Sequence, residues 1–115
     1  MENNYFEITS AYKGDRVVLP TRVFDIHIVR TKIGGPMLPS VFEIQKAIEA
    51  PEVVQRSKKD ADALIYIRKV GRLGGATWRT VVVASAAREG YRAVSTAYNV
   101  YNTVSKGEII WARGA

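Results

Sequence analysis

Residues 22–33 read RVFDIHIVRTKI, and whether this stretch winds or extends decides the fold. Val23, Ile26, Val29 and Ile33 recur at helical spacing, while Phe24, Ile26 and Ile28 alternate as in a strand. Thr21 stands at an N-cap position behind Pro20, and the two glycines and two prolines of GGPMLPS, residues 34–40, cannot continue a helix. The reading adopted is a helix over Arg22–Ile33. On such a helix His27, the single histidine of the chain, and Arg30 lie three positions apart and share a face.

Working outward, the segment behind this stretch opens with YFEITSAY and RVVLP, both rich in aromatic and β-branched residues. Lys13-Gly14-Asp15 separates them, which predicts a short hairpin or two irregular strands. Ahead lies the clearest helix of the chain. Ser40 is a good N-cap, Glu43 three residues later completes a capping box, and Val41, Ile44 and Ile48, with the linking Phe42 and Ala47, form an apolar stripe. Pro51 stops that helix at Ala50.

After Pro51 the period changes from helical to alternating. EVVQR, ALIYIRKV, TWRTVVVAS, YRAVSTAYNVY and EIIWAR are separated by SKKDAD, by a glycine-rich turn and by REG. Short turns between strands predict an antiparallel meander, with TWRTVVVAS as a central strand. The resulting expectation is a single α+β domain over residues 1–115, with N-terminal helices packed on an antiparallel β-sheet.

Composition narrows the function classes. Lysine and arginine number 17 against 11 acidic residues, a formal charge of +6, which favours polyanionic partners such as RNA. The chain has no cysteine, so disulfides, thiolate catalysis and cysteine-based zinc sites are excluded. No apolar run approaches the roughly 18 residues of a membrane span, and MENNYFEITS lacks the pattern of a signal peptide. These features predict a chain at work in a cytoplasm, with no membrane partner and no cofactor.

Imidazole exchanges protons near neutral pH, and guanidinium grips phosphate through parallel hydrogen bonds, so His27 and Arg30 are a minimal kit for phosphodiester chemistry. The strands offer further groups. Tyr66 and Arg68 share one strand face, Lys69 lies beside them, Arg79 stands in TWRT, and Ser95, Thr96 and Tyr98 stand in STAY. Hydroxyls and cations converging on one sheet face would hold a phosphate and orient a 2′-hydroxyl; alternating polar residues also mark an ordinary solvated face. Asp25, two positions from His27, is the sole nearby acid, which makes a Ser-His-Asp arrangement improbable. The glycines of GRLGGATW lack the Gly-Lys-Ser/Thr ending of a phosphate loop, no Gly-x-Ser-x-Gly elbow occurs, and the scattered aromatics show no stacking signature of the RRM kind.

The order of these features resembles one family. HIVR precedes a loop and the helix VFEIQKAIEAPEVVQRS; ALIYIRKV, WRTVVVAS, AVSTAYNVY and EIIWAR follow. This order is similar to the phage-type branch of the BECR nucleases (the barnase, EndoU, colicin and RelE-like superfamily), from about Phe24 to Trp111. The resemblance implies helices packed on an antiparallel sheet and metal-independent RNA cleavage, by a toxin or phage effector. RNA is the implied substrate, and an acidic inhibitor or immunity protein an implied partner. The family's histidine falls on His27 and its arginine on Arg30, its hydroxyl-bearing strand on Thr96 and Tyr98. Tyr66, Arg68, Lys69, Arg79 and Ser95 are the implied substrate-binding set. Thr31 stands where many relatives carry a second histidine. The alternative, from another class, is a non-catalytic RNA-binding or protein-interaction module on the same scaffold; a third reading is a phage structural or accessory protein whose charge is incidental.

Overall fold

The computed structural model describes residues 3–29, 38–87, 89–101 and 107–114. The strands of these residues are β1 (Asn4–Thr9), β2 (Arg16–Pro20), β3 (Val53–Ser57), β4 (Leu64–Leu73), β5 (Ala76–Ala84), β6 (Tyr91–Tyr101) and β7 (Gly107–Ala112). They form one sheet in the order β1-β2-β6-β5-β4-β3-β7. The meander read from the sequence supplies β6-β5-β4-β3, with β5 in the middle of the sheet, but its last strand departs from it: β7 pairs antiparallel with β3 at the opposite edge instead of following β6. Between β4 and β5, Gly74 and Gly75 both take positive φ, 60° and 85°. That is the demand of a tight two-residue hairpin turn, which glycine meets without steric cost.

The expected architecture of N-terminal helices on an antiparallel sheet is overturned. The chain opens with strands, and the β1–β2 hairpin joins the sheet through β2, which runs parallel to β6 over Arg16–Val18 against Tyr91–Ala93. The sheet is therefore mixed, and among the described residues one α-helix, α1 (Val41–Glu49), packs on it. The physical reason lies in Val17, Val18 and Leu19. All three are buried, Val17 and Leu19 in the core shared with α1, and as a strand paired on both sides β2 meets its backbone hydrogen bonds within the sheet.

The decisive stretch does wind, but differently from the prediction. Val23–Ile28 is a π-helical segment in which the Val29 amide donates to the Phe24 carbonyl, five residues back. This wider winding sets Val23 and Phe24 one turn from the buried Ile28, toward the core, and leaves Asp25, Ile26 and His27 exposed. Arg30 to Ile33, the end of the predicted helix, lie outside the described residues.

Helix α1 follows its sequence closely. The Ser40 hydroxyl accepts from the Glu43 amide, and the Glu43 carboxylate accepts from the Ser40 amide, so the capping box is complete. Ile44, Ala47 and Ile48 turn inward onto Tyr66, Val82 and Ala97 in the main core. The sheet's other face carries a smaller cluster of Ile65, Ile67 and Val81, bordered by Val83, Tyr98 and Val100. Alternation along β4, β5 and β6 thus gives both faces apolar residues, as expected of strands in the middle of a sheet.

Candidate functional site

Strand β6 pairs with β2 over only its first three residues. From Val94 onward its side away from β5 has no strand partner among the described residues. The π-helical segment packs against this part of the molecule, and between them lies a cavity of about 510 Å³ lined by Arg22, Ile26, His27, Ser85, Val94 and Ser95 among others. His27 therefore faces the end of the β5–β6 pair.

Ser95 occupies a register shift. Ala84 pairs with Val94 and Val83 with Thr96, so Ser95 is the extra residue of a β-bulge. A bulge re-aims the side chains around it, and here it turns β6 from one cavity to the next. A second cavity of about 600 Å³ shares Ser85 and Ser95 with the first and is lined by Lys58, Lys59, Thr96 and Tyr98. Thr96 and Tyr98 project from the same face of β6, opposite Val83 and Val81.

Hydrogen bonding sorts the hydroxyls by what they still offer. Ser95 donates to the Val83 carbonyl at 3.1 Å, and Ser85 donates to the Ala93 carbonyl at 3.2 Å. Each proton is used inside the sheet, so these serines present lone pairs to the cavities. The donors at the second cavity are the exposed ammonium groups of Lys58 and Lys59 and the Thr96 hydroxyl. Burial raises the Tyr98 phenol above its ordinary range, which keeps it protonated at neutral pH, a hydrogen-bond donor rather than a base.

The end of the sheet that carries this pair of cavities is clamped by Arg92. Its guanidinium donates to Asp15 Oδ2 at 3.3 Å, to the Asp62 carbonyl at 2.8 Å and to the Ser85 carbonyl at 3.0 Å. Three separate segments are thereby tied to β6 beside Ser85, one of the two residues that both cavities share. Asp25 is turned elsewhere: it accepts from the Tyr5 hydroxyl and lines a different cavity with Asn3 and Thr21. That hydrogen bond raises the Tyr5 phenol.

The predicted site residues are distributed unevenly. Ser95, Thr96 and Tyr98 come together at one cavity, and His27 joins them through Ser95 and Ser85. Arg30 lies outside the described residues, as does Thr31. Tyr66 is fully buried in the main core, where burial pushes its phenol up to about 12 against the opposing influence of the Arg92 charge. No surface of Tyr66 is left for a substrate. Arg68, Lys69 and Arg79 lie at the other end of the sheet and line neither cavity. Lys58, Lys59 and Ser85 were not singled out from sequence. The lysine pair was visible within SKKDAD as a charged turn, but no local pattern says which way a turn faces.

Among the described residues no three of His, Asp or Glu cluster closely enough to hold a metal ion. No described helix is long and apolar enough to cross a membrane.

No family model, curated protein or solved structure matches this chain.

Proposed function

We propose that this chain is an endoribonuclease whose working surface runs from His27 across Ser95 to Thr96, Tyr98 and the Lys58–Lys59 pair. The observation that carries the reading is the pair of adjoining cavities, which gives an imidazole, a set of hydroxyls and two ammonium groups a common frontage. The basic balance of the chain supports it further. An RNA strand laid along this frontage meets cations at one end and a titratable ring at the other.

In the proposed reaction the 2′-oxygen of a ribose attacks the adjacent phosphorus. Its proton passes to the His27 imidazole, the 2′-oxygen–phosphorus bond forms and the phosphorus–5′-oxygen bond breaks. The departing 5′-oxygen takes up a proton from water, leaving a 2′,3′-cyclic phosphate and a 5′-hydroxyl, and His27 afterwards returns its proton to solvent. Lys58 and Lys59 offset the charge that grows on the phosphoryl oxygens, and Thr96 and Tyr98 donate hydrogen bonds that hold the phosphate in line. The resemblance makes this chemistry independent of metal.

The test is incubation of purified protein with RNA in EDTA, beside a His27→Ala variant. The expected outcome is a 2′,3′-cyclic phosphate product from the native chain, with the rate lost in the variant. Equal cleavage by both, or by neither, defeats the role given to His27.

A second reading has an observation of its own. Arg68, Lys69 and Arg79 sit away from His27, as in a module that binds RNA without cutting it. Binding without any cleavage product, weakening steeply with salt as phosphate contacts release counterions, would favour that reading.

A further inference from the structure

The far end of the β4–β5–β6 sheet carries a second arrangement of groups. Trp78 on β5 is directly opposite Tyr101 on β6. Their rings stack with centroids 5.5 Å apart and planes 12° from parallel. Two residues back on the same strand face, the Thr80 hydroxyl donates to the Asn99 side-chain oxygen at 2.7 Å. Both residues of that pair are buried, so a polar contact shielded from water pins the register that brings the aromatic rings together.

Tyr101 is 43% exposed although one of its faces lies against Trp78, so the exposure falls on the rest of the ring. Around it the charge is one-sided. Residues 68–79, RKVGRLGGATWR, contain four cations and no acid. Arg79 is engaged with Glu52; Arg68 is half-buried on the Trp78 face, whereas the exposed Lys69 and Arg72 stand opposite Arg79 and Thr77 on the reverse face. Trp78 lies six residues from Ala84, so this end is roughly 20 Å along β5 from the His27 cavity.

We propose that this end of the sheet is a binding platform for single-stranded polynucleotide. Tyr101, backed by Trp78, stacks on an unpaired base, and Arg68, on the same face, meets a flanking phosphate, while Lys69 and Arg72 add positive charge from the reverse face of the same hairpin. An aromatic face is sequence-tolerant because every base has a π-face, and cations beside it track the backbone. A duplex hides its base faces inside its own stack, so the platform distinguishes single strands from double strands. This inference deepens the ribonuclease reading by giving the substrate a second point of attachment, but it stands on different residues and survives the loss of that reading.

The decisive probe is a short fluorescein-labelled oligothymidine, which lacks a 2′-hydroxyl and stays intact whatever His27 does. Binding is followed by anisotropy at low salt with the full chain. The native protein is expected to bind the single strand more tightly than a duplex of the same length. Tyr101→Ala is expected to weaken binding at least about fivefold, with Tyr101→Phe, which keeps the ring, binding like the native protein. Arg68→Ala is expected to lower the salt dependence of binding. Circular dichroism establishes that each variant is folded. An oligouridine of equal length, offered to His27→Ala protein, shows by its affinity relative to oligothymidine whether RNA or DNA is the natural strand. The platform is refuted if folded Tyr101→Ala binds like the native protein, if duplex binds as tightly as single strand, or if neither strand binds. A protein that binds oligothymidine yet cleaves no RNA refutes the nuclease reading alone.

Discussion

The two ends of the β5–β6 pair are made of the same two strands and carry different chemistry. At the end where β6 begins, a bulge at Ser95 breaks the register, β2 leaves the sheet edge and a π-helical segment brings in His27. At the end where β6 finishes, the register is regular and pinned by Thr80 and Asn99, and the surface groups are Trp78, Tyr101 and a run of cations. The bulge in β6 supplies concavity beside His27; the regular β5–β6 register at the other end supplies the aromatic pair, next to a second bulge between Lys69 and Gly71 of β4 that carries the cations. The division suits a molecule that grips a strand at one place and acts on it at another.

The largest effect expected from that division is on cleavage. His27→Ala should lower the cleavage rate by about 10²–10⁴-fold, the usual contribution of a positioned proton-transfer group, with oligothymidine affinity unchanged. Measuring both on one preparation breaks the comparison if affinity falls along with the rate.

Next in size is the clamp. Arg92→Ala removes three donations at the His27 end and leaves Asp15 without its guanidinium. A cost of about 2 kcal/mol is expected, from hydrogen bonds to a charged group in a partly buried setting. This corresponds to a fall of about 10 °C in melting temperature for a domain of this size. Held well below its melting temperature, the variant should lose cleavage while still binding the single strand. Equal loss of both activities would mean that the two ends do not work separately.

The smallest effect at neutral pH belongs to Tyr66, midway between the ends. Its buried hydroxyl makes no hydrogen bond among the described residues, so Tyr66→Phe should change stability by less than about 1 kcal/mol. Alkaline pH sharpens the test. The folded chain holds this phenol at about 12, against an ordinary 10.0, so the unfolded chain loses its proton first. The native fold therefore keeps its full stability below pH 10 and loses up to about 3 kcal/mol as pH rises toward 12. Melting curves across that range should show the loss in the native chain and a reduced loss in Tyr66→Phe.

Legibility from sequence varied with the range of the interactions involved. Helix α1 was readable because its cap, its stripe and its stop all lie between Ser40 and Pro51. The β1–β2 hairpin and the β3-to-β6 meander were readable because short connections set the pairing of adjacent segments, the tightest being the Gly74–Gly75 turn. Residues 22–33 misled because Phe24, Ile26 and Ile28 obey one period while Val23, Ile26 and Val29 obey another, and the π-helical winding satisfies neither. Thr96 and Tyr98 were correctly expected to share a strand face; that their cavity also takes in Lys58 and Lys59 from the β3–β4 turn was not visible.

By itself the sequence determined the period of each strand, the capped helix, the charge excess and the absence of thiol chemistry, since each depends on neighbours within a few positions or on composition alone. Only the tertiary structure decided that β2 lies parallel to β6, that Tyr66 is buried out of reach, and that Trp78 meets Tyr101 across 23 positions of chain. Those outcomes depend on which distant surfaces exclude water together and in which register they hydrogen-bond. Such choices belong to the packed whole, because no local stretch contains both partners.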